Sequence, residues 1–161
     1  TPASQLAEMA GLELENGIKV DAKGRTSDAA IWSAGDCASF PFQGNRIRLE
    51  SVPNAIDQAE VVAQNMLGAD KDYVAQPWFW SDQYDVKLQI AGLNAGYDRV
   101  VIRPGKAGAR SVWYFAGDRL LAVDAMNDAR AYMIGRRLIE AGLSPAPAAL
   151  ADPATDLKSL M

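Results

Sequence analysis

The fold is decided by the stretch Arg25-Thr26-Ser27-Asp28-Ala29-Ala30-Ile31-Trp32-Ser33-Ala34-Gly35-Asp36-Cys37-Ala38. Its uncharged segment from Ile31 to Ala34 predicts a short buried strand. Gly35 has no Cβ, so a backbone or a ligand can approach it closely. Because open α/β sheets bind ligands at the carboxyl ends of their strands, Asp36 is a candidate acceptor for sugar-like hydroxyls. The alternative is an ordinary turn, since Gly-Asp is also common in turns.

A helix is predicted after the loop that follows Asp36. Ser51 is its expected N-cap, Pro53 lies in its first turn, and the helix runs to Leu67 and ends at Gly68. The helical spacing predicts a buried apolar face that comprises Ala55, Ala59, Val62, Ala63 and Met66. The order along the chain is therefore a strand, Gly-Asp, a loop and a helix N-terminus.

A tryptophan-rich run, Pro77-Trp78-Phe79-Trp80-Ser81-Asp82-Gln83, follows this helix. Together with Gly35-Asp36, the segment from Leu49 to Glu60, and Val123-Asp124-Ala125-Met126-Asn127, it resembles the FAD-dependent, NAD(P)H-linked ferredoxin reductases. The putidaredoxin-reductase and rhodocoxin-reductase type, within the pyridine nucleotide-disulfide oxidoreductase superfamily, fits best. The resemblance covers nearly the whole chain, and Trp-Phe-Trp-Ser-Asp-Gln is its most specific part.

Composition excludes several classes of function. The chain has 161 residues, of which 49% are hydrophobic and 22% charged, as in a globular protein with a real core. The net charge of −4 and the lack of a basic run argue against a nucleic-acid partner. The absence of histidine removes Ser-His-Asp catalysis and His-based metal sites, and the single Cys37 excludes an internal disulfide. With no membrane span or secretory signal in the sequence, a cytoplasmic protein is the simplest interpretation.

No Gly-x-Gly-x-x-Gly fingerprint for a dinucleotide follows any predicted strand. The reductases that this chain resembles carry their FAD and NAD fingerprints upstream of the matching point. We therefore expect the chain to be a C-terminal fragment of an enzyme, and we expect the fragment alone to be inactive.

The fold class predicted for the chain is α+β, with two parts. Residues 1–72 are expected to be the C-terminal end of an α/β FAD-binding domain, including its closing strand and helix. Residues 73–161 are expected to form a reductase C-terminal domain, an antiparallel sheet with one packed helix. The predicted elements are a helix over 3–10 with Leu6, Met9 and Ala10 inward, strands over 18–21, 86–91, 100–103, 111–116 and 119–124, a helix over 128–140 capped by Asn127, and a last turn over 156–161.

The resemblance implies roles for particular residues. It places Gly35 and Asp36 at the ribityl chain of FAD, the backbone of Ser51 and Val52 at the pyrimidine end of the flavin, and Glu50 near the nicotinamide pocket. It places Trp80 beside the isoalloxazine, near the electron exit toward an iron–sulfur partner, which makes Trp80 and Glu50 the candidate catalytic residues. The alternative for Gly35 and Asp36 is an ordinary turn, and that for Ser51 and Val52 is an ordinary capped helix. The alternative for the tryptophans is packing in the core, which suits Trp78.

The function implied by the resemblance is electron transfer from NAD(P)H through FAD to a [2Fe–2S] ferredoxin that serves a cytochrome P450 or a ring-hydroxylating oxygenase. Arg46, Arg48 and Lys87 are candidates for a basic rim that receives the ferredoxin, or are simply scattered solvated charges. Two other interpretations stay open. One is a non-catalytic dimerisation or docking domain. The other is a related flavoprotein with rubredoxin or monodehydroascorbate as acceptor, or with a role like that of apoptosis-inducing factor. A homodimer is also compatible with the sequence.

Overall fold

A small three-stranded sheet and one long helix organise the first of two units, residues 1–76, in a computed structural model that describes residues 1–161. Strand β2 pairs in parallel with β1 and antiparallel with β3, and a 3₁₀ turn over Gly35–Cys37 leads into β2. The elements are α1 (Gln5–Met9), β1 (Ile18–Lys19), β2 (Ala38–Phe42), β3 (Asn45–Ile47) and α2 (Val52–Met66).

The strand predicted from Ile31 to Ala34 is wrong. Trp32 makes only an isolated bridge with Arg25, and Ile31 is 37% exposed. The segment folds back on the preceding loop, because Ser33 N donates to Gly24 O (3.1 Å) and Thr26 N donates to Ile31 O (3.1 Å). The strand of this region is β2, which begins after Gly-Asp rather than before it.

Two predicted buried faces in this unit are also wrong. In α1, Leu6 and Met9 are more than 80% exposed, Ala10 is exposed and Ala7 is buried, since a five-residue helix is too short for its pattern to define a face. In α2, Val62 is the one member of the predicted apolar set that is buried. Its buried residues are Pro53, Asn54, Gln58, Val62 and Asn65. The amides can be buried because main-chain groups outside the helix hydrogen-bond to them.

The ends of α2 are as predicted. Ser51 Oγ accepts a hydrogen bond from Asn54 N (3.3 Å), and Pro53 lies in the first turn. Gly68 follows the helix with a φ of +94°, a left-handed conformation that favours glycine.

Residues 77–161 form a five-stranded antiparallel sheet with strand order β4-β5-β8-β7-β6, and the α+β class is thereby confirmed. The four strands predicted here are present, each slightly longer than expected, and the tryptophan-rich run forms the additional edge strand β4. The elements are β4 (Trp78–Gln83), β5 (Val86–Gly92), β6 (Arg99–Pro104), β7 (Arg110–Ala116), β8 (Arg119–Met126), α3 (Ala129–Glu140), α4 (Pro147–Ala151) and a 3₁₀ turn over Leu157–Leu160.

Helix α3 packs on one face of this sheet. The predicted inward residues Ala131, Ile134 and Leu138 are buried, in one core with Trp113 and Val123. Gly135 permits the close approach, because a Cβ there would lie 2.4 Å from Val123 Cγ1.

The N-cap of α3 is Asp128 and not the predicted Asn127. Asp128 Oδ1 accepts from Ala131 N (2.9 Å). The Asn127 side chain is engaged elsewhere, since it accepts from Lys87 N (2.8 Å) and donates to Asp85 O (3.1 Å). Tertiary contacts across the β4–β5 turn therefore compete with capping for this amide.

Arg103 fixes the C-terminal segment to the sheet. Its side chain is only 8% exposed, and its guanidinium donates to four main-chain carbonyls of the segment. The acceptors are Leu150 O (3.1 Å), Asp152 O (2.6 Å), Pro153 O (3.3 Å) and Thr155 O (2.8 Å).

The structure divides the chain between residues 76 and 77, whereas the sequence suggested 72 and 73. The connecting residues Tyr73 and Ala75 are buried in the first unit. Tyr73 N donates to Ala22 O (2.7 Å), and its ring meets Phe40 edge-on with the centroids 5.5 Å apart. No helix in either unit is both long and apolar enough to cross a bilayer.

Candidate functional site

The Gly35-Asp36 turn lies directly against α2. Gly35 N donates to the buried Gln58 Oε1 at 2.8 Å. Gly35 has a φ of +79°, which favours glycine, and a Cβ there would lie 3.4 Å from Ala55 Cβ. Glycine therefore permits both the turn and its contact with the first turns of the helix.

Asp36 presents a free carboxylate beside this contact. The side chain is exposed and makes no hydrogen bond or ion pair within the chain. Its main-chain carbonyl accepts from Arg48 Nη1 (2.9 Å), so the backbone of the turn is held while the carboxylate stays available. Such a carboxylate can accept hydrogen bonds from hydroxyl groups of a ligand.

The N-terminus of α2 is the second part of the site. Ser51 caps Asn54 N, and Pro53 has no N–H to offer, so the Val52 N–H is the first-turn donor without a partner in the chain. Val52 is 60% exposed. An unpaired N–H at the positive end of a fifteen-residue helix favours an electron-rich or anionic group.

Glu50 precedes the cap and forms an ion pair with Arg48. The hydrogen bond from this guanidinium, followed by its positive charge, lowers the pKa of Glu50. Glu50 is therefore ionised at neutral pH. Arg48 also donates to Asn16 O (3.0 Å), so that it holds the surrounding loops together.

The three residues of the candidate basic rim have hydrogen-bond or ion-pair partners within this chain. Arg46 Nη1 donates to Val20 O (2.9 Å) and Ser39 O (2.5 Å), and its Nε lies 3.4 Å from a Glu15 carboxylate oxygen. Arg48 is engaged as described, and Lys87 pairs with Asp82 (3.5 Å). These contacts favour a structural role for both arginines.

A buried pair supports the helix N-terminus from behind. The Tyr73 hydroxyl donates to Asn54 Oδ1 (2.9 Å), and Asn54 Nδ2 donates to Leu49 O (3.2 Å). Burial, followed by the nearby Asp57 charge, raises the pKa of Tyr73 to about 12, so the hydroxyl keeps its proton. The connecting segment therefore supports, through the Tyr73 hydroxyl, the turn that leads into α2.

Replacing Tyr73 with Phe is expected to lower the free energy of unfolding of residues 1–76 by about 1–2 kcal/mol. The ring still fills its place, but Asn54 Oδ1 becomes a buried acceptor without a donor. Urea denaturation of the chain measures the effect, with the exposed Tyr84→Phe as the control that should change nothing. Equal stabilities of the two variants would contradict the role given to the hydroxyl.

Trp80 lies in the second unit, at the edge strand β4. It is 45% exposed and stacks on Trp78, with ring centroids 5.5 Å apart and planes inclined by 29°. Trp78 packs against the core, and Arg136 lies 5.4 Å from its ring centroid. The structure therefore brings Gly35, Asp36, Ser51 and Val52 into one region of the first unit. Trp80 lies partly exposed on the surface of the second unit, where Trp78 supports its ring.

Comparison with models of known protein families identifies the family of the chain. The model described as "Reductase C-terminal" matches residues 78–161, more than half of the chain, and that described as "Pyridine nucleotide-disulphide oxidoreductase" matches residues 1–59. The chain belongs to the Reductase C-terminal family.

Relatives of this Reductase C-terminal chain include rhodocoxin reductase of Rhodococcus erythropolis, 43% identical over 98% of the chain and 38% of the relative. Putidaredoxin reductase CamA of Pseudomonas putida is 40% identical over 99% of the chain and 39% of the relative. The ferredoxin reductase for the CYP199A2 system of Rhodopseudomonas palustris matches with a TM-score of 0.92 and 42% identity, over 98% of the chain and 40% of that structure. The chain thus spans about two fifths of the length of these relatives.

The sequence of this Reductase C-terminal chain did not predict three buried residues that support the site: Asn54, Gln58 and Tyr73. The amides lie one helical turn apart on α2, where the apolar pattern suggested a different face. The available signal was the placement of two amides at i and i+4 just after a helix cap. That spacing is compatible with an exposed face as well as a buried one.

Proposed function

We propose that the chain is the C-terminal part of a flavoprotein that passes electrons from NAD(P)H through FAD to a [2Fe–2S] ferredoxin. The observation that carries this proposal is the match of both units, over 98% of the chain, to ferredoxin reductases. Residues 1–76 would complete the FAD-binding domain, and residues 77–161 would form the reductase C-terminal domain.

The residues of the first unit suit FAD. The free carboxylate of Asp36 would accept a hydrogen bond from a ribityl hydroxyl, and Gly35 allows the turn that presents Asp36 to lie against α2. The Val52 N–H and the dipole of α2 would favour negative charge at the pyrimidine ring. FAD, when bound, supplies the change from a two-electron donor to a one-electron acceptor. The role of this chain would be to hold and orient the flavin.

Glu50 and Trp80 are the two candidate catalytic residues. Glu50, held ionised by Arg48, would lie near the nicotinamide pocket. Trp80 would lie beside the isoalloxazine on the side from which a ferredoxin takes electrons. A solved relative is a covalent complex of putidaredoxin reductase with putidaredoxin, 41% identical over 99% of this chain and 39% of that one, which supports a ferredoxin as partner.

The test is to purify the full-length protein that carries this chain and record its absorbance spectrum and its NADH-dependent reduction of a [2Fe–2S] ferredoxin. Flavin absorbance, together with ferredoxin reduction, is the expected result. A colourless protein would overturn the proposal in favour of a docking or dimerisation domain. A flavoprotein that reduces rubredoxin or monodehydroascorbate, and no [2Fe–2S] ferredoxin, would overturn the choice of acceptor.

A further inference from the structure

The buried face of helix α2 carries a row of amides, whereas the sequence predicted that this face would be apolar. Asn54, Gln58 and Asn65 are 5%, 1% and 3% exposed and lie on one helical face. Each hydrogen-bonds to main-chain groups outside the helix. A buried amide is costly to leave unpaired, and its bonds have a direction that apolar contacts lack. Such a row is suited to holding other segments at fixed positions.

Two of these amides act at the proposed flavin site. Gln58 Oε1 accepts from Gly35 N (2.8 Å), next to the candidate ribityl ligand Asp36. One turn earlier, Asn54 Nδ2 donates to Leu49 O (3.2 Å), at the entry to the helix N-terminus. The two segments that would touch the flavin are thus tied to adjacent turns of one helix.

We propose that Gln58 and Asn54 are positioning residues that fix the Gly35-Asp36 turn relative to the N-terminus of α2, and thereby set the affinity and the reduction potential of the flavin. This inference rests on the proposed function. Both side chains are buried, and neither is proposed to contact the flavin directly. Each acts through a main-chain group that does so or adjoins one.

The physical reason is the short range of the interactions involved. The field of a helix N-terminus falls off within the first turn, so its effect on charge at the pyrimidine ring depends on an exact placement. Without Gln58 Oε1, the buried Gly35 N–H loses its acceptor and the turn must move to find another. Such a shift changes the distance between the carboxylate of Asp36 and the helix end, so that one flavin no longer fits both equally well.

The experiment uses the full-length protein with Gln58→Met, which keeps the length of the side chain and removes the acceptor. We expect the dissociation constant for FAD to rise about tenfold, because binding must return the displaced turn to a position in which the buried Gly35 N–H has no acceptor. The flavin midpoint potential should become more negative, because negative charge on the reduced form loses part of its stabilisation. Exchange of the Gly35 amide proton should accelerate.

Gln58→Glu is the rescue variant. Burial favours the protonated acid, which keeps a carbonyl oxygen for Gly35 N, so affinity and potential should stay close to those of the parent. Asn65→Leu is the matched control on the same helix. It removes a buried amide that donates to Lys23 O (2.9 Å) and Lys71 O (2.8 Å), far along α2 from the site. It should lower stability and leave the potential unchanged.

Two results would overturn the inference while the proposed function stands. One is a Gln58→Met protein that binds FAD with the affinity and potential of the parent. The other is an Asn65→Leu protein whose potential moves as far as that of Gln58→Met, which would make the effect one of general destabilisation. A parent that binds no FAD at all would instead refute the proposed function, and the inference with it.

Discussion

Replacement of Arg103 with Met is expected to lower the free energy of unfolding of residues 77–161 by about 3 kcal/mol or more, because a hydrogen bond to a charged group contributes about 1.5–3 kcal/mol. The guanidinium holds four carbonyls between residues 150 and 155. Without it, the buried Leu150 and Leu157 would lose the anchor that keeps them in the core. Met retains most of the apolar stem, so the loss reports on the guanidinium.

Arg99→Met is the matched control, since Arg99 is an exposed residue of the same strand. Urea denaturation of the chain, followed by tryptophan fluorescence, measures both variants. Limited proteolysis should cut Arg103→Met first between residues 146 and 161. An Arg103→Met chain as stable as Arg99→Met would show that the C-terminal segment is held by apolar packing alone.

The second unit was the more predictable from sequence, because its signals are local. The run from Val112 to Phe115 is rich in β-branched and aromatic residues, which favour a strand, and Gly117-Asp118 forms the predicted hairpin turn. The face of α3 is likewise determined by spacing. Arg103 was not foreseen, since a basic residue in a strand is normally exposed and its four acceptors lie about fifty residues away.

The first unit resisted prediction because distant groups decide which residues are buried. Ile31 to Ala34 has the composition of a buried strand, but its main chain bonds to the preceding loop. The amides of α2 displace alanines from the inner face because main-chain partners are placed to receive them. The order of motifs could place Gly35, Asp36 and Ser51 at one site, but it could not indicate Gln58, whose role exists only once Gly35 N lies 2.8 Å from it.

Replacement of Asp36 with Ala in the full-length protein is expected to raise the dissociation constant for FAD by roughly ten- to a hundredfold, since a hydrogen bond to a charged group is worth about 1.5–3 kcal/mol. The carboxylate is exposed and has no partner in the chain, so its removal should leave the fold intact. FAD content after dialysis, with the melting temperature of the apoprotein, separates loss of a ligand contact from loss of folding. A variant that retains its flavin as the parent does would leave Gly35-Asp36 as a turn only.

Trp80→Ala supplies the contrasting result. The indole belongs to the second unit and is not among the groups proposed to hold the ribityl chain or the pyrimidine ring, so flavin content should fall much less than in Asp36→Ala. If Trp80 borders the route to the partner, NADH-dependent reduction of a ferredoxin should slow more than that of ferricyanide, which needs no docking surface. Equal slowing with both acceptors would instead assign Trp80 to packing with Trp78. The two variants thus distinguish retention of the flavin from delivery of its electrons.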